Sequence, residues 1–304
     1  EMLVEVGRVL REHTAPVNSI DFSKDGELLA SAGDDQLLCL YSCKSGLVSK
    51  RIRCRAHGVQ SVRFTHDPHS VLVANRSGEA EIRYLCLHDG QYLRTFKGHS
   101  KPVVSLEMSP KEDIFASASL DDTIRIWDLR STDCQAVMHF ASGGERPAVA
   151  FDDKGVVLAA AICGQTKLFD VRAYEKGPFS TFSPDLSARS FSCVKFSNDG
   201  KFVLQATTGG SVLLLDAFKG DLMQRFSGHD NQREMSLEAC FSADAEYILA
   251  GAEDGSIWRW HTRTGQALPP LKGHQGPVGA IKCNPTRMMM ASACSVVCLW
   301  LPTS

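Results

Sequence analysis

"GHSKPVVSLEMSPKEDIFASASLDDTIRIWD", residues 98–128, holds three short runs rich in Val, Ile, Leu and aromatic residues, separated by Pro, Asp, Lys and Ser. Such runs read as short strands joined by tight turns. Its pieces return elsewhere: "EHTAPVNSIDFSKDGELLASAGDDQLLCLYS" from Glu12, "SCVKFSNDGKFVLQATTGGSVLLLD" from Ser192, "GHDNQREMSLEACFSADAEYILAGAEDGSIWRWH" from Gly228 and "GHQGPVGAIKCNPTRMMMASACSVVCLW" from Gly273. Weaker copies end at Tyr84 and Phe169. A fourth strand, such as "YLRTF" or "LMQRF", follows the third in every unit but the last, and turn chemistry such as "SKDG", "SNDG" and "EDGS" lies between strands.

Units end at Tyr41, Tyr84, Trp127, Phe169, Leu215, Trp260 and Trp300, in steps of about 40–46 residues. Four strands per unit, with GH near the start and WD at the end, resemble the WD-repeat propeller pattern over the whole chain. The resemblance implies an all-β, seven-bladed propeller forming one domain over residues 1–304. "SACSVVCLWLP", residues 292–302, would be the last third strand, with no sequence after it to supply an outer neighbour. The N-terminal stretch from Leu3 to Leu10 is therefore expected to pair with it and close the ring, removing an open sheet edge.

Of 304 residues, 43% are hydrophobic and 22% charged, as in an ordinary globular protein. No run reaches the ~18 apolar residues of a membrane span, and "EMLVEVGRVLREH" lacks the order of a signal peptide. The expectation is an intracellular protein with no membrane association. Eleven cysteines form no CxxC pair, with Cys39/Cys43 and Cys294/Cys298 four apart, which reads as buried free thiols in a reducing compartment. A net charge of −2 gives no drive toward nucleic acid.

Blade three places His99, Ser117, Asp121 and Trp127 where a nucleophile, base and orienting carboxylate might be sought. Blade one repeats the offsets with His13, Ser31, Asp35 and Tyr41. A catalytic site would not recur at the repeat period. The resemblance implies a structural hydrogen-bond chain from Asp through His and Ser to Trp, with a phenol replacing the indole in blade one. Blade six keeps His229, Asp254 and Trp260 but has Ala250 at the Ser position; blade seven has His274 and Trp300 and no Asp. Blades two, four and five are expected to rely on packing of Val62, Phe64, Val149, Phe151, Val194 and Phe196. "HDPH", residues 66–69, offers two histidines without further ligands, so no metal site is expected, and no cofactor. GxxxxGK[ST], GxSxG and HExxH are absent, and the chain is read as not an enzyme.

Stretches beyond the repeat consensus narrow the reading: "IRYLCLHDGQYLRTFKGH" (82–99), "VVSLEMSP" (103–110), "IRIWDLRSTDCQAVMH" (124–139), "EKGPFSTF" (175–182), "VKFSNDGK" (194–201), "LLDAFKGDLM" (214–223) and "SACSVVCLWLP". Together they resemble the Swd-type WD-repeat proteins, propeller subunits of the COMPASS histone H3 methyltransferases. "FASGGERPAVAFDDKG" in blade four and the first twelve residues depart from that family. The resemblance implies a non-catalytic nuclear chromatin subunit that assists a SET-domain enzyme. It also implies partners in a PP1 phosphatase scaffold, the phosphorylated C-terminal repeat of RNA polymerase II, and mRNA cleavage and polyadenylation factors, without sequence-specific nucleic-acid binding.

The repeat places Asp34, Lys101, Leu120 and Glu253 on the face of the GH loops. The opposite face receives Arg130, Arg172, Tyr174, Lys176 and Phe179 from family-like connections. "SKRIRCR", residues 49–55, alternates Arg51, Arg53 and Arg55 with apolar residues, either a basic stripe for phosphoserines or acidic peptide, or a charged edge that blocks sheet association. "WDLR" (127–130) and "FDVR" (169–172) resemble the WDxR element that docks some propellers on cullin ubiquitin ligases, so a substrate receptor is the alternative.

Overall fold

The computed structural model describes residues 4–54, 57–141, 143–184, 190–229 and 231–303. Its strands form seven four-stranded antiparallel sheets, six of them built from consecutive strands. Blades one to six span residues 17–53, 57–96, 103–139, 148–182, 191–226 and 239–272. Blade seven takes three strands from residues 280–302 and its outer strand from Val4–Leu10. Val4 lies opposite Pro302, Val6 opposite Trp300 and Leu10 opposite Val297, so the chain's two ends are sewn into one sheet as expected, Leu3 lying outside the described residues.

Local sequence explains the meander. In the turn after Val17–Phe22, the Asp25 carboxylate accepts from the Ser23 hydroxyl (2.5 Å) and the Glu27 N–H (3.0 Å). Gly26 follows at φ +70°, where a Cβ would also lie 2.1 Å from Thr286 Oγ1 of blade seven. The second strands "LLASAG", "IFASAS" and "VLAAAI" are buried over almost their whole length. Their Ala and Ser residues leave room for larger side chains of the neighbouring sheet.

Seven buried apolar clusters result, one between each pair of neighbouring blades. Phe96, Phe115 and Trp127 fill the joint between blades two and three, with Phe115 stacked on Trp127 at 6.2 Å. Val62, Phe64, Val149, Phe151 and Val194 are buried and Phe196 is partly buried, in the packing role expected of blades two, four and five. Ile20, Leu29, Tyr41, Ala291 and Leu299 make the joint between blades seven and one, so the closing seam has a core like the rest. The Val17 N–H also donates to the Cys294 carbonyl across that seam, at 2.7 Å.

Antiparallel order alternates the turns. Those between first and second and between third and fourth strands share a lower face. Those between second and third strands share an upper face with the inter-blade connections.

Candidate partner-binding surfaces

The hydrogen-bond chains of blades one and three resemble a catalytic triad. In blade three, Trp127 Nε1–H donates to Ser117 Oγ (2.8 Å), Ser117 lies 2.7 Å from His99 Nε2, and His99 Nδ1 lies 2.9 Å from Asp121 Oδ2. An indole can only donate, so Ser117 passes its hydrogen to Nε2, leaving Nδ1–H to donate to the carboxylate. Burial pushes the Asp121 carboxyl up, but hydrogen bonds from Thr123, the Ser100 N–H and His99 outweigh it and hold the group down at about 2. Burial also lowers the His99 pKa, against the pull of Asp121. The His99 and Asp121 side chains are only 1% and 5% exposed, and Ser117 is buried between them and Trp127. Blade one repeats the arrangement: His13 Nδ1 is 3.0 Å from Asp35, Nε2 is 2.7 Å from Ser31 Oγ, and Ser31 is 3.2 Å from the Tyr41 hydroxyl.

Blades six and seven depart from the pattern. The carboxylate of Asp254 accepts from Ser256 (2.6 Å), and among the described residues buried His229 Nδ1 has no hydrogen-bond partner. In blade seven, Ser292 links Trp300 (2.7 Å) to His274 Nε2 (2.6 Å), and Cys294 Sγ lies 3.0 Å from Nδ1 in the missing carboxylate's place. Sequence reading missed this because Ser292 and Trp300 stand eight residues apart, against ten between Ser117 and Trp127.

On the upper face, a cavity of about 440 Å³ opens at the axis. Asp34 lines it and is held by Asn18 Nδ2 (2.6 Å) and Arg76. The other upper-face residues do not join it. Lys101 is exposed, Leu120 is half-buried, and the Glu253 carboxylate is bound by Arg233 at 2.8 Å. Deeper in the channel lies a set of charges absent from the sequence reading. Asp21, Arg63, Glu107, Lys195 and Lys282 each come from the first strand of a different blade. Lys195 Nζ is 2.8 Å and Arg63 Nε 3.3 Å from Glu107, and Lys282 Nζ is 3.7 Å from Asp21. Burial opposes the charge on Glu107, but Lys195 and Arg63 outweigh it and hold the carboxyl well below its ordinary range. The signal was available: each residue directly precedes Phe22, Phe64, Met108, Phe196 or Cys283 at the end of an apolar strand.

The lower face gathers more of the candidates. Arg130 is 78% exposed and forks onto its own Asp128 (2.9 and 2.7 Å), and Arg172, 74% exposed, lies 3.5 Å from Asp170. Tyr174 begins a short 3-10 turn, Tyr174–Lys176, and its hydroxyl donates to the Gln135 carbonyl (2.8 Å), tying blade four to blade three. Lys176 is exposed, and Phe179 is 61% exposed just before the outer strand Ser180–Phe182. The corresponding turn of blade five packs beside it, since a Cβ on Gly220 would lie 2.1 Å from the Phe182 ring. That turn carries Phe218 with 81% exposure, a residue the sequence reading quoted but did not place in a site. A large apolar side chain in a tight turn was the clue.

Elsewhere the candidates disperse. The strand Leu47–Arg53 pairs on one side only, which makes Arg51 and Arg53 edge residues; Arg51 Nε donates to Glu12 at 2.6 Å, and Arg55 lies outside the described residues. His66 Nε2 lies 3.1 Å from the Glu112 carbonyl in a turn, and no group of three metal-ligating side chains occurs among the described residues.

Comparison with known proteins agrees with this architecture. The family model "WD domain, G-beta repeat" matches residues 5–42, 90–128 and 220–261. WD repeat-containing protein 82 of Drosophila melanogaster is 41% identical, over 99% of this chain and 95% of its own length. Set1 complex component swd2 of Schizosaccharomyces pombe is 32% identical over 84% of this chain and 72% of its own. COMPASS component SWD2 of Saccharomyces cerevisiae is 29% identical over 91% and 88%. The Cps50 (Swd1) β-propeller domain of Myceliophteria thermophila superposes with a TM-score of 0.83 at 17% identity, covering 99% of this chain and all of that one, which speaks to the fold. With the ring closed, the repeats in register and close relatives matched along nearly its whole length, the chain belongs to the family of Swd-type WD-repeat propellers.

Proposed function

We propose that the protein is a non-catalytic, single-domain adaptor subunit of a nuclear COMPASS-type complex, supporting methylation of histone H3 by a SET-domain enzyme. The observation that carries this is similarity, over 84% and 91% of this chain, to relatives named as Set1 complex and COMPASS components. The sealed Ser–His–Asp chains support the non-catalytic part, because their serines are tied to Trp127 in blade three and Tyr41 in blade one. Binding is assigned to the lower face of blades four and five, where Phe179 and Phe218 supply apolar contact and Arg172 and Lys176 supply charge. Such a surface suits a short, otherwise flexible segment that orders as it binds. A PP1 scaffold segment is proposed as a competing occupant of the same surface. The polymerase repeat and 3′-end processing factors rest on the family resemblance alone.

The test is affinity purification of the tagged chain from nuclei, with identification of what accompanies it. A SET-domain subunit lost on the Arg172→Glu/Lys176→Glu double change supports the reading. Exposed Arg130 and Arg172 in WDxR elements favour one other reading, a cullin-linked substrate receptor. Recovery of a cullin adaptor, lost on Arg130→Ala, would replace the first reading with it. Turnover by the purified chain in methylation, phosphatase or ubiquitination assays would overturn the non-catalytic part.

A further inference from the structure

Cys294 differs from its fellow thiols in position and in chemistry. It begins the shortened turn 294–296 at the seam between blades seven and one. Its Sγ accepts from His274 Nδ1–H at 3.0 Å, its carbonyl accepts from the Val17 N–H, and it lines the upper-face cavity together with Ser295. The proton on Nδ1 follows from the rest of the chain: Trp300 donates to Ser292, so Ser292 donates to Nε2. Sulfur here does what a carboxylate does in blades one and three.

Cys298 Sγ lies 3.9 Å from the same His274 nitrogen, and Asp34, Arg63, Arg76, Arg146, Lys195 and Glu238 line the cavity that Cys294 faces. Burial alone pushes the Cys294 thiol up, but the His274 hydrogen bond and the Val296 backbone outweigh it and hold it down at about 6. Burial leaves Cys39, Cys43, Cys54 and Cys193 pushed up to about 11, and Cys298 to about 12. A thiolate reached from a cavity through a 7% exposed surface admits small reagents and refuses large ones.

We propose that Cys294 is a modification site, a thiolate in the wall of the channel mouth that small hydroperoxides oxidise, releasing the hydrogen-bond chain of the closing blade. The thiolate sulfur attacks one peroxide oxygen; the S–O bond forms as the O–O bond breaks. Sulfur is oxidised by two electrons to the sulfenic acid, and the peroxide is reduced to hydroxide, which takes a proton from solvent and leaves as water. The 3.0 Å between Sγ and His274 Nδ1 leaves no room for the added oxygen, so the turn must move away from His274 to admit it. The displaced turn carries the Cys294 carbonyl away from Val17, passing the change to blade one.

The experiment exposes the folded full chain briefly to hydrogen peroxide at pH 5 to 9, removes the peroxide, unfolds the chain in dimedone so that every sulfenic acid is trapped, and reads each cysteine by peptide mass spectrometry. Exposed Cys163 is the internal comparison. At pH 7 the Cys294 adduct is expected to form at least about ten-fold faster than that of Cys163, with a rate that rises around pH 6 and is flat above 7. Oxidation should lower the melting temperature of the wild type. Cys294→Asp, which installs the residue type of blades one and three, should keep its melting temperature in peroxide. An adduct at Cys163 without one at Cys294, a rate midpoint of 8 or higher, or a peroxide-induced fall that persists in Cys294→Asp would overturn the proposal. Should the Asp variant fail to fold, the adduct's site and its pH midpoint in the wild type decide alone.

Discussion

Trp127 joins two sources of stability in one side chain, since its ring fills the joint between blades two and three while its N–H anchors the Ser117–His99–Asp121 chain. Trp127→Ala is expected to cost about 3–5 kcal/mol, through the cavity left behind and the orphaned serine. Asp121→Ala should cost less, about 1–3 kcal/mol, because it removes acceptors at the end of the chain and leaves the packing intact. Chemical denaturation of the two variants checks the order, and a Trp127→Ala protein as stable as the wild type would contradict the blade register. The same groups set a pH dependence. Burial holds the pKa of His99 and His229 below the ordinary 6.5, so the unfolded chain takes up protons first as pH falls. Their contribution is complete above about 6.5 and declines below it. Asp121, held at about 2 against an ordinary 3.8, adds a second loss as pH falls through 4 toward 2. Melting temperature should therefore drop from pH 7 to 5 and fall again below 4; a flat profile from 7 to 5 would contradict buried neutral histidines. At this scale the sequence was legible where offsets were kept, as from His13 to Tyr41. It was not where the turn before Trp300 lost two residues and a thiol replaced the carboxylate, because periodicity locates positions and not substitutes.

Among the elements, Val4–Leu10 has the largest consequence for its length. It covers the outer edge of Val297–Pro302, and Val4 and Val6 pack on the cluster that contains Trp300. Deleting residues 1–12 should expose a row of unpaired backbone groups and an apolar flank, lowering the melting temperature and producing aggregates in size-exclusion chromatography. A truncated protein that stays monomeric and equally stable would show that the strand is not needed for closure. This element was readable from counting alone: seven third strands left one sheet without an outer neighbour, and an apolar run stood at the other end of the chain. Blade six was less readable, because Asp254 is present in sequence but its carboxylate turns to Ser256, a choice made by local turn geometry. The channel charges left a signal only as a recurrence, one residue before the end of a first strand. Asp21, Arg63 and Glu107 each look like the solvent side of a strand until seven sheets bring them around one axis.

For the whole molecule, the ring's interior goes to mutual packing, so function is left to its two faces and outer edge. The lower face of blades four and five presents Phe179 and Phe218 in neighbouring turns with Arg172 and Lys176 beside them, while the upper-face candidates Lys101, Leu120 and Glu253 stay apart from the cavity. Titration calorimetry with a flexible segment of a SET-domain methyltransferase, against the wild type and the Arg172→Glu/Lys176→Glu double variant, tests the binding account directly. The account predicts a saturable complex with the wild type, displaced by a PP1 scaffold segment. It also predicts at least about a ten-fold weaker complex with the double variant, at unchanged melting temperature. A wild-type protein that binds neither segment would contradict it.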